Sequence, residues 1–432
     1  MNKNKIIKNA SWIIGCQIAK AVISFVISML TARYLGPSNY GIISYAASLS
    51  AFALPIMQLG LSNILVQEII NHPDEEGKAI GTATIMSSAS AVLCVLGIIA
   101  FTSIVNKGET ETIVVCALYG ISLIFQAFDL VHYWFQAKLM SKYVSIATLI
   151  GYFVMSLYKL YLLISLKSVE WFAISYTIEY ALITAILLTT YKKKCGKKLS
   201  FSFTKAKDMF SRSRYYIISS LMVVIFAQTD RIMIKLMLGN ADTGFYSAAV
   251  TCAGLTSFVF IAIIDSMRPV IFESKKTSTD SFKNNMQRLY TIIIYLSLAQ
   301  SLFITIFSEL IIKILYGAEY LNSIAALRII VWYTTFSYLG SVRNIWILAE
   351  NKQKYLWIIN LSGASLNVIL NYILIPVWGI CGASFASLVT QFFTNVIVGY
   401  ILKPIRKNND IMLKALDIKN VFNIIKSLKL RG

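Results

Sequence analysis

Residues 12–59 read WIIGCQIAKAVISFVISMLTARYLGPSNYGIISYAASLSAFALPIMQL. The apolar runs 12–31 and 40–59 each approach the ~20 residues a helix needs to cross a bilayer core about 30 Å thick. Only a short turn around Gly36 and Pro37 separates them. Such a pair is a membrane-spanning helical hairpin.

The pattern continues to the end of the chain. Further apolar runs fall at 79–101, 112–135, 144–164, 171–190, 215–238, 244–265, 289–315, 324–349, 355–375 and 379–402, so twelve spans are predicted and the fold class is all-α, polytopic. A composition 57% hydrophobic and 14% charged agrees, because a soluble core cannot bury that much apolar surface. The run at 12–31 is too long for a signal peptide and lacks a small-residue cleavage site, so it is read as a retained first span. Of the six cysteines only Cys195 lies outside an apolar run, and none has ligand spacing, so neither a disulfide framework nor a metal site is indicated.

A net charge of +20 would suggest nucleic acid in a soluble protein, but here the basic residues sit between apolar runs, and nucleic acid is not an expected partner. With the N-terminus inside, 30 of the 40 Lys and Arg fall in cytoplasmic segments, four outside and six within spans. Both termini are therefore predicted cytoplasmic. The longest basic loop divides the chain into a bundle at 1–190, a linker at 191–214, a second bundle at 215–402 and a basic tail at 403–432. In that tail, residues 421–425 among Lys419, Lys426, Lys429 and Arg431 read as a membrane-surface segment. The bundles echo one another: at an offset of 203, Leu35, Gly36, Gly41, Ser44 and Ala46 meet Leu238, Gly239, Gly244, Ser247 and Ala249. Each half starts inside and has six spans, so the repeat is parallel.

Charges within the spans point to function, since an ionisable residue at helix centre costs at least about 2.5–3.5 kcal/mol unless it faces protein or water. Gln17, Lys20, Ser24, Ser28 and Thr31 share one face of the first helix. Ser44, Ser48, Ala51, Pro55, Gln58 and Ser62 form a small, polar counterpart on the second; for the serines alone, helix packing is the preferred explanation. On the seventh, Gln228, Arg231 and Lys235 share a face, with Asp230 about 100° away. Lys20 and Arg231 would set positive charge at two depths of one cavity, a complement to a pyrophosphate. Lys235 is expected to snorkel to the outer headgroups. Asp129 could meet Lys20 and neutralise it. Lys159 and Glu179 reach nearly the same depth, which suggests a neutralising pair or, more sharply, a proton or cation relay. Arg328 and Arg343 are expected to snorkel at opposite interfaces, and His72 and His132 to be solvated or packed.

The stretch Thr31-Ala-Arg33-Tyr-Leu35-Gly36-Pro37-Ser-Asn-Tyr40-Gly41, preceded by Asn9 and Trp12 and followed by Gln58-Leu-Gly-Leu61, resembles the opening signature of the polysaccharide-transporter (Wzx-type) flippases of the multidrug/oligosaccharidyl-lipid/polysaccharide exporter superfamily. Asp230-Arg-Ile-Met-Ile, Leu238-Gly239, Gly244-Phe-Tyr-Ser-Ala-Ala249, Tyr316-Gly-Ala-Glu-Tyr320, and Asn367, Asn371, Pro376 with Gly379-Ile-Cys-Gly-Ala383 resemble its second-half landmarks. The resemblance implies two six-helix bundles around a central cavity and alternating access. The substrate would be an undecaprenyl-pyrophosphate-linked oligosaccharide for O-antigen, lipopolysaccharide or capsule, moved outward across the inner membrane. It implies membrane lipid and polysaccharide polymerase or other assembly proteins as partners, and no enzyme activity or cofactor beyond a coupling ion, H+ or Na+. A multidrug or cation antiporter of the same superfamily would want an acidic cavity, whereas the predicted lining is basic. A polymerase or ligase would need a catalytic constellation, and no D-x-D, nucleotide loop or His cluster occurs.

Overall fold

A computed structural model describes residues 3–420 except Cys195, with the side chains of residues 3–14, Gln17, Ile18 and Asn63 left out. The segment 421–425 and the side chains of Asn9, Trp12 and Gln17, all singled out above, lie outside this description. The described chain is helical, without a strand. In order the helices are α1 (Lys3–Met57), α2 (Ser62–Asn71), α3 (Glu76–Val105), α4 (Thr110–Gly120), α5 (Ser122–Phe128), α6 (His132–Ala137), α7 (Ser141–Ile164), α8 (Val169–Lys193), α9 (Phe203–Leu238) and α10 (Asn240–Ala253). They are followed by α11 (Ser257–Thr277), α12 (Thr279–Leu315), α13 (Ser323–Ala349), α14 (Leu356–Phe392), α15 (Val398–Ile401) and α16 (Arg406–Lys414).

Among the described residues, eight helical stretches are long and apolar enough to cross a membrane, and the bent pair α10–α11 makes a ninth. Two of these are interrupted by a glycine with positive φ, Gly36 (φ 71°) in α1 and Gly379 (φ 59°) in α14, so each is two spans. The first break is local chemistry: Gly36 reaches a backbone conformation that a Cβ disfavours, and Pro37, with no N–H to donate, starts the next helix. With α13, 27 residues long, the twelve expected spans are accounted for. The chain is a multi-pass, all-helical membrane protein. Leu93, Ile104, Ile164 and Val377 are among its many exposed apolar side chains.

The chain forms two compact units, Met1–Gly244 and Phe245–Gly432. In the first, α1 packs on α7, α9, α4 and α3, and α8 on α7, α4 and α5. One apolar cluster gathers Tyr45, Met57, Val115, Leu123 and Phe172, and another Leu65, Ile80, Phe135, Leu187 and Met209. Helix α9 begins at Phe203 rather than at the expected Tyr215. Ser202 caps it by accepting from the Lys205 N–H at 3.4 Å, and Glu68 in α2 receives Lys205 at 3.1 Å and Arg212 at 2.8 Å. These ion pairs hold a polar first third helical although it lies outside the apolar run. Just before it, Ser200 N–H donates to Gly77 O at 3.3 Å, so this basic segment is docked on α3.

In the second unit, Tyr290, Ile293, Trp346 and Met412 share a core, and the described part of the tail packs into it. Tyr290 Oη donates to Asn408 Oδ1 at 2.9 Å, and Asn409 Nδ2 to Val396 O at 2.6 Å. The span expected at 244–265 is bent near Gly254, by 44° between α10 and α11, and one expectation fails. Arg343 does not snorkel: it is 5% exposed and donates to Thr394 O at 2.7 Å, in a π-helical turn over Phe393–Ile397. Such a turn frees carbonyl oxygens from the α-helical ladder, which gives a buried guanidinium an acceptor inside the protein. Arg328, by contrast, is exposed, and its Nε donates to Ser308 Oγ at 2.8 Å.

Candidate functional site

The polar stripe of α1 turns inward within the first unit. Ser24 Oγ lies 3.3 Å from Tyr152 Oη of α7, and Ser28 Oγ 3.1 Å from Tyr40 Oη beyond the Gly36 break. Lys20, about one turn nearer the basic end than Ser24, is partly buried with its Nζ 4.4 Å from the centre of the Tyr152 ring, a cation–π contact. The stripe borders two cavities that succeed one another along α1 and α7.

The cavity nearer the basic end, about 440 Å³, is lined by Lys20, His132, Gln136, Ser141, Ser145 and Thr148 among others. Three elements build it: the first arm of α1, the short helix α6 and the opening turns of α7. His132 Nδ1 stands 3.3 Å from Asp129 Oδ2 and 2.8 Å from Asp129 O, which holds the ring against the end of α5. No side chain caps the start of α7, so its leading N–H groups add partial positive charge beside the ammonium and hydroxyl donors. A Lys, a protonatable His, an amide and three hydroxyls around one space suit an anion rich in oxygen acceptors.

The second cavity, about 180 Å³, is lined by Ser24, Ser28, Thr31, Tyr152, Lys159 and Glu179 among others. Tyr119 and Tyr176 stack at 4.3 Å on its wall. Glu179 is 4% exposed. Lys159 and Glu179 thus face one space and feel one another's charge, but no ion pair within 4.0 Å joins them.

Residues of α9 form a separate group. Arg231 Nη1 and Ser48 Oγ both donate to Gln228 Oε1 at 3.0 Å. Asp230 is buried beside them, and none of the three α9 residues lines either cavity. Lys20 and Arg231 are therefore not brought to one pocket within this unit. Gln58 lies in the turn that follows the second arm of α1 and lines neither cavity. Of the motif residues, Tyr40 lines the second cavity, Leu35 is buried, Arg33 is exposed, and Gly36, Pro37, Gly41, Gly239 and Gly244 belong to the opposite end. Lys235 overturns its expectation. It is 4% exposed and bonds Glu109 Oε2 at 2.6 Å, because the segment before α4 sets a carboxylate over it and snorkelling is unnecessary.

Residues 6–275 match the family described as polysaccharide biosynthesis protein. The chain belongs to that family. A Shigella flexneri protein described as an O-antigen transporter is 23% identical over 402 residues, which covers 88% of this chain and 93% of the relative. The capsular polysaccharide biosynthesis protein CapF of Staphylococcus aureus is 22% identical over 92% of this chain and all of its own length. Among solved structures, an inward-facing multidrug resistance transporter of the MATE family superposes with a TM-score of 0.68 at 12% identity, covering 91% of this chain and 96% of that one. The lipid II flippase MurJ in an inward closed conformation gives 0.66 at 14% identity, covering 95% and 92%. At such identities the structural likeness shows the fold alone.

In this polysaccharide biosynthesis protein the residues missed from sequence are His132, Gln136, Ser145, Thr148 and Tyr152. A signal existed: Asp129, His132 and Gln136 recur at three and four, one face of a helix whose fourth span approaches Lys20 at the basic end.

Proposed function

We propose that this family member is a flippase for lipid-linked oligosaccharides, moving an undecaprenyl-diphosphate-linked repeat unit from the cytoplasmic to the outer leaflet of the inner membrane by alternating access. Both termini and the basic end face the cytoplasm in this reading. The observation that carries it is the cavity at Lys20: a cation, a protonatable imidazole and hydroxyl donors at the basic end of the first unit, in a chain related over most of its length to proteins named for O-antigen transport and capsule biosynthesis. Lys20 supplies a compact charge and Gln136, Ser141, Ser145 and Thr148 supply directional donors, a set that matches the many oxygens of a diphosphate. The same lining disfavours the multidrug-antiporter alternative, since a cationic drug would meet a like charge.

Purified protein in vesicles tests this. A labelled prenyl-diphosphate glycan placed in one leaflet should become accessible in the other with its mass unchanged. A change of mass would assign the chain to polymerases or ligases, and no movement would refute the flippase reading.

A further inference from the structure

The second cavity has no part in holding the anion at Lys20, yet its lining is incomplete. Glu179 is buried there, Lys159 faces the same space, and among the described residues neither closes an ion pair. Thr31 Oγ1, from a residue 7% exposed, is buried on the same wall without a hydrogen-bond partner. A buried carboxylate without a direct partner is costly and is relieved by a cation or by neutralisation. A metal ion would meet the Lys159 ammonium, and no group of three metal-binding side chains occurs among the described residues. A proton needs only the carboxylate.

We propose that Glu179 is a proton-binding site linked, through Lys20, to the anion site beside it. This rests on the reading of the Lys20 cavity as an anion site. The link is geometric: the Tyr152 ring that Lys20 contacts at 4.4 Å is itself a wall of the Glu179 cavity. Lys20 therefore shares its field between Glu179 on one side and Asp129, beside His132, on the other. The other groups facing Glu179 are Tyr40 from α1, Tyr119 from α4, Tyr152 and Lys159 from α7, and Tyr176 and Tyr180 from its own helix; α5 contributes none. An anion that settles on Lys20 cancels the positive charge that favours the Glu179 carboxylate. The carboxylate then takes one proton from water and becomes a neutral acid, with no other bond formed or broken. By reciprocity, a proton on Glu179 frees Lys20 and tightens the anion. Anion affinity is thus highest at low pH and falls as pH rises through the Glu179 titration, by at most about tenfold per pH unit for one proton.

Calorimetry of inorganic pyrophosphate binding to the full chain in lipid nanodiscs, run in buffers of different ionisation enthalpy, counts the protons taken up. The difference between wild type and Glu179→Gln cancels what the ligand and His132 contribute. Wild type should take up more, by up to about one proton, and above the Glu179 titration Glu179→Gln should bind pyrophosphate more tightly than wild type does. Equal uptake in both proteins overturns the linkage. Lys20→Ala separates the two ideas: if it still binds pyrophosphate, the anion-site reading fails and the linkage with it. Binding that needs Lys20 but shows equal uptake refutes the linkage alone. Should Glu179→Gln aggregate, the Lys159→Gln/Glu179→Gln protein carries no charge in the cavity and must show the same loss of uptake.

Discussion

Gly41 and Gly244, 203 positions apart in the two halves of the sequence repeat, make reciprocal contacts: a Cβ on Gly41 would overlap the carbonyl of Asn240, and one on Gly244 the carbonyl of Pro37. Asn240 and Pro37 are themselves 203 apart, so the turns at Gly36 and Gly239 meet as equivalent partners. The repeat visible in the sequence is thus a contact in the first unit. Gly41→Val or Gly244→Val forces two backbones apart, and overpacking of this kind costs roughly 1–3 kcal/mol. Each should lower the thermal midpoint in detergent, and the double variant should lose less than the sum because both act on one contact. An unchanged midpoint in either single variant would show that the turns do not pack closely.

Lys235 and Glu109 are unequally buried, with side-chain exposures of 2% and 42%. Removing the acid strands a charge inside the protein, whereas removing the base leaves a carboxylate that water can reach. Glu109→Gln should therefore destabilise more than Lys235→Met, and adding Lys235→Met to Glu109→Gln should restore part of the loss. The order of thermal midpoints checks this. The reverse order would return Lys235 to the membrane surface.

The spans, their number and the equivalent glycine turns were legible because apolar length and Gly-Pro punctuation are local signals. So was the inward face of α1, since Lys20, Ser24, Ser28 and Thr31 recur at helical spacing. Neither the acid that reaches Lys235 nor the carbonyl that reaches Arg343 was legible: each comes from a neighbouring element, Glu109 before α4 and Thr394 in a π-helical turn. His132 was passed over for a similar reason, because its role comes from the cavity it shares with α1 and α7.

Glu68 gathers Arg212 and Lys205 where α9 docks on α2. Burial alone would raise this carboxyl, but hydrogen bonds and charge from Arg212 and Lys205 outweigh it and hold it below the usual carboxylate range. A lowered folded-state value means that the stabilisation is complete above the unfolded value, about 4.3, and is lost as pH falls through the folded one. Wild type should therefore be more stable than Glu68→Gln at neutral pH, and the gap should close on acidification below the ordinary glutamate range. Midpoints measured across pH check this, and a gap constant with pH would remove Glu68 from the docking contact.

Transport itself should depend on the cation in the first cavity. The most direct measurement is the flipping rate of a labelled prenyl-diphosphate glycan in vesicles reconstituted with equal amounts of wild type, Lys20→Ala or Lys20→Arg. Lys20→Ala should lose nearly all movement while remaining folded and inserted, and Lys20→Arg, which keeps the charge but changes its geometry, should retain part of it. Wild-type rates from correctly inserted Lys20→Ala would contradict the assignment of this cavity to the anionic headgroup.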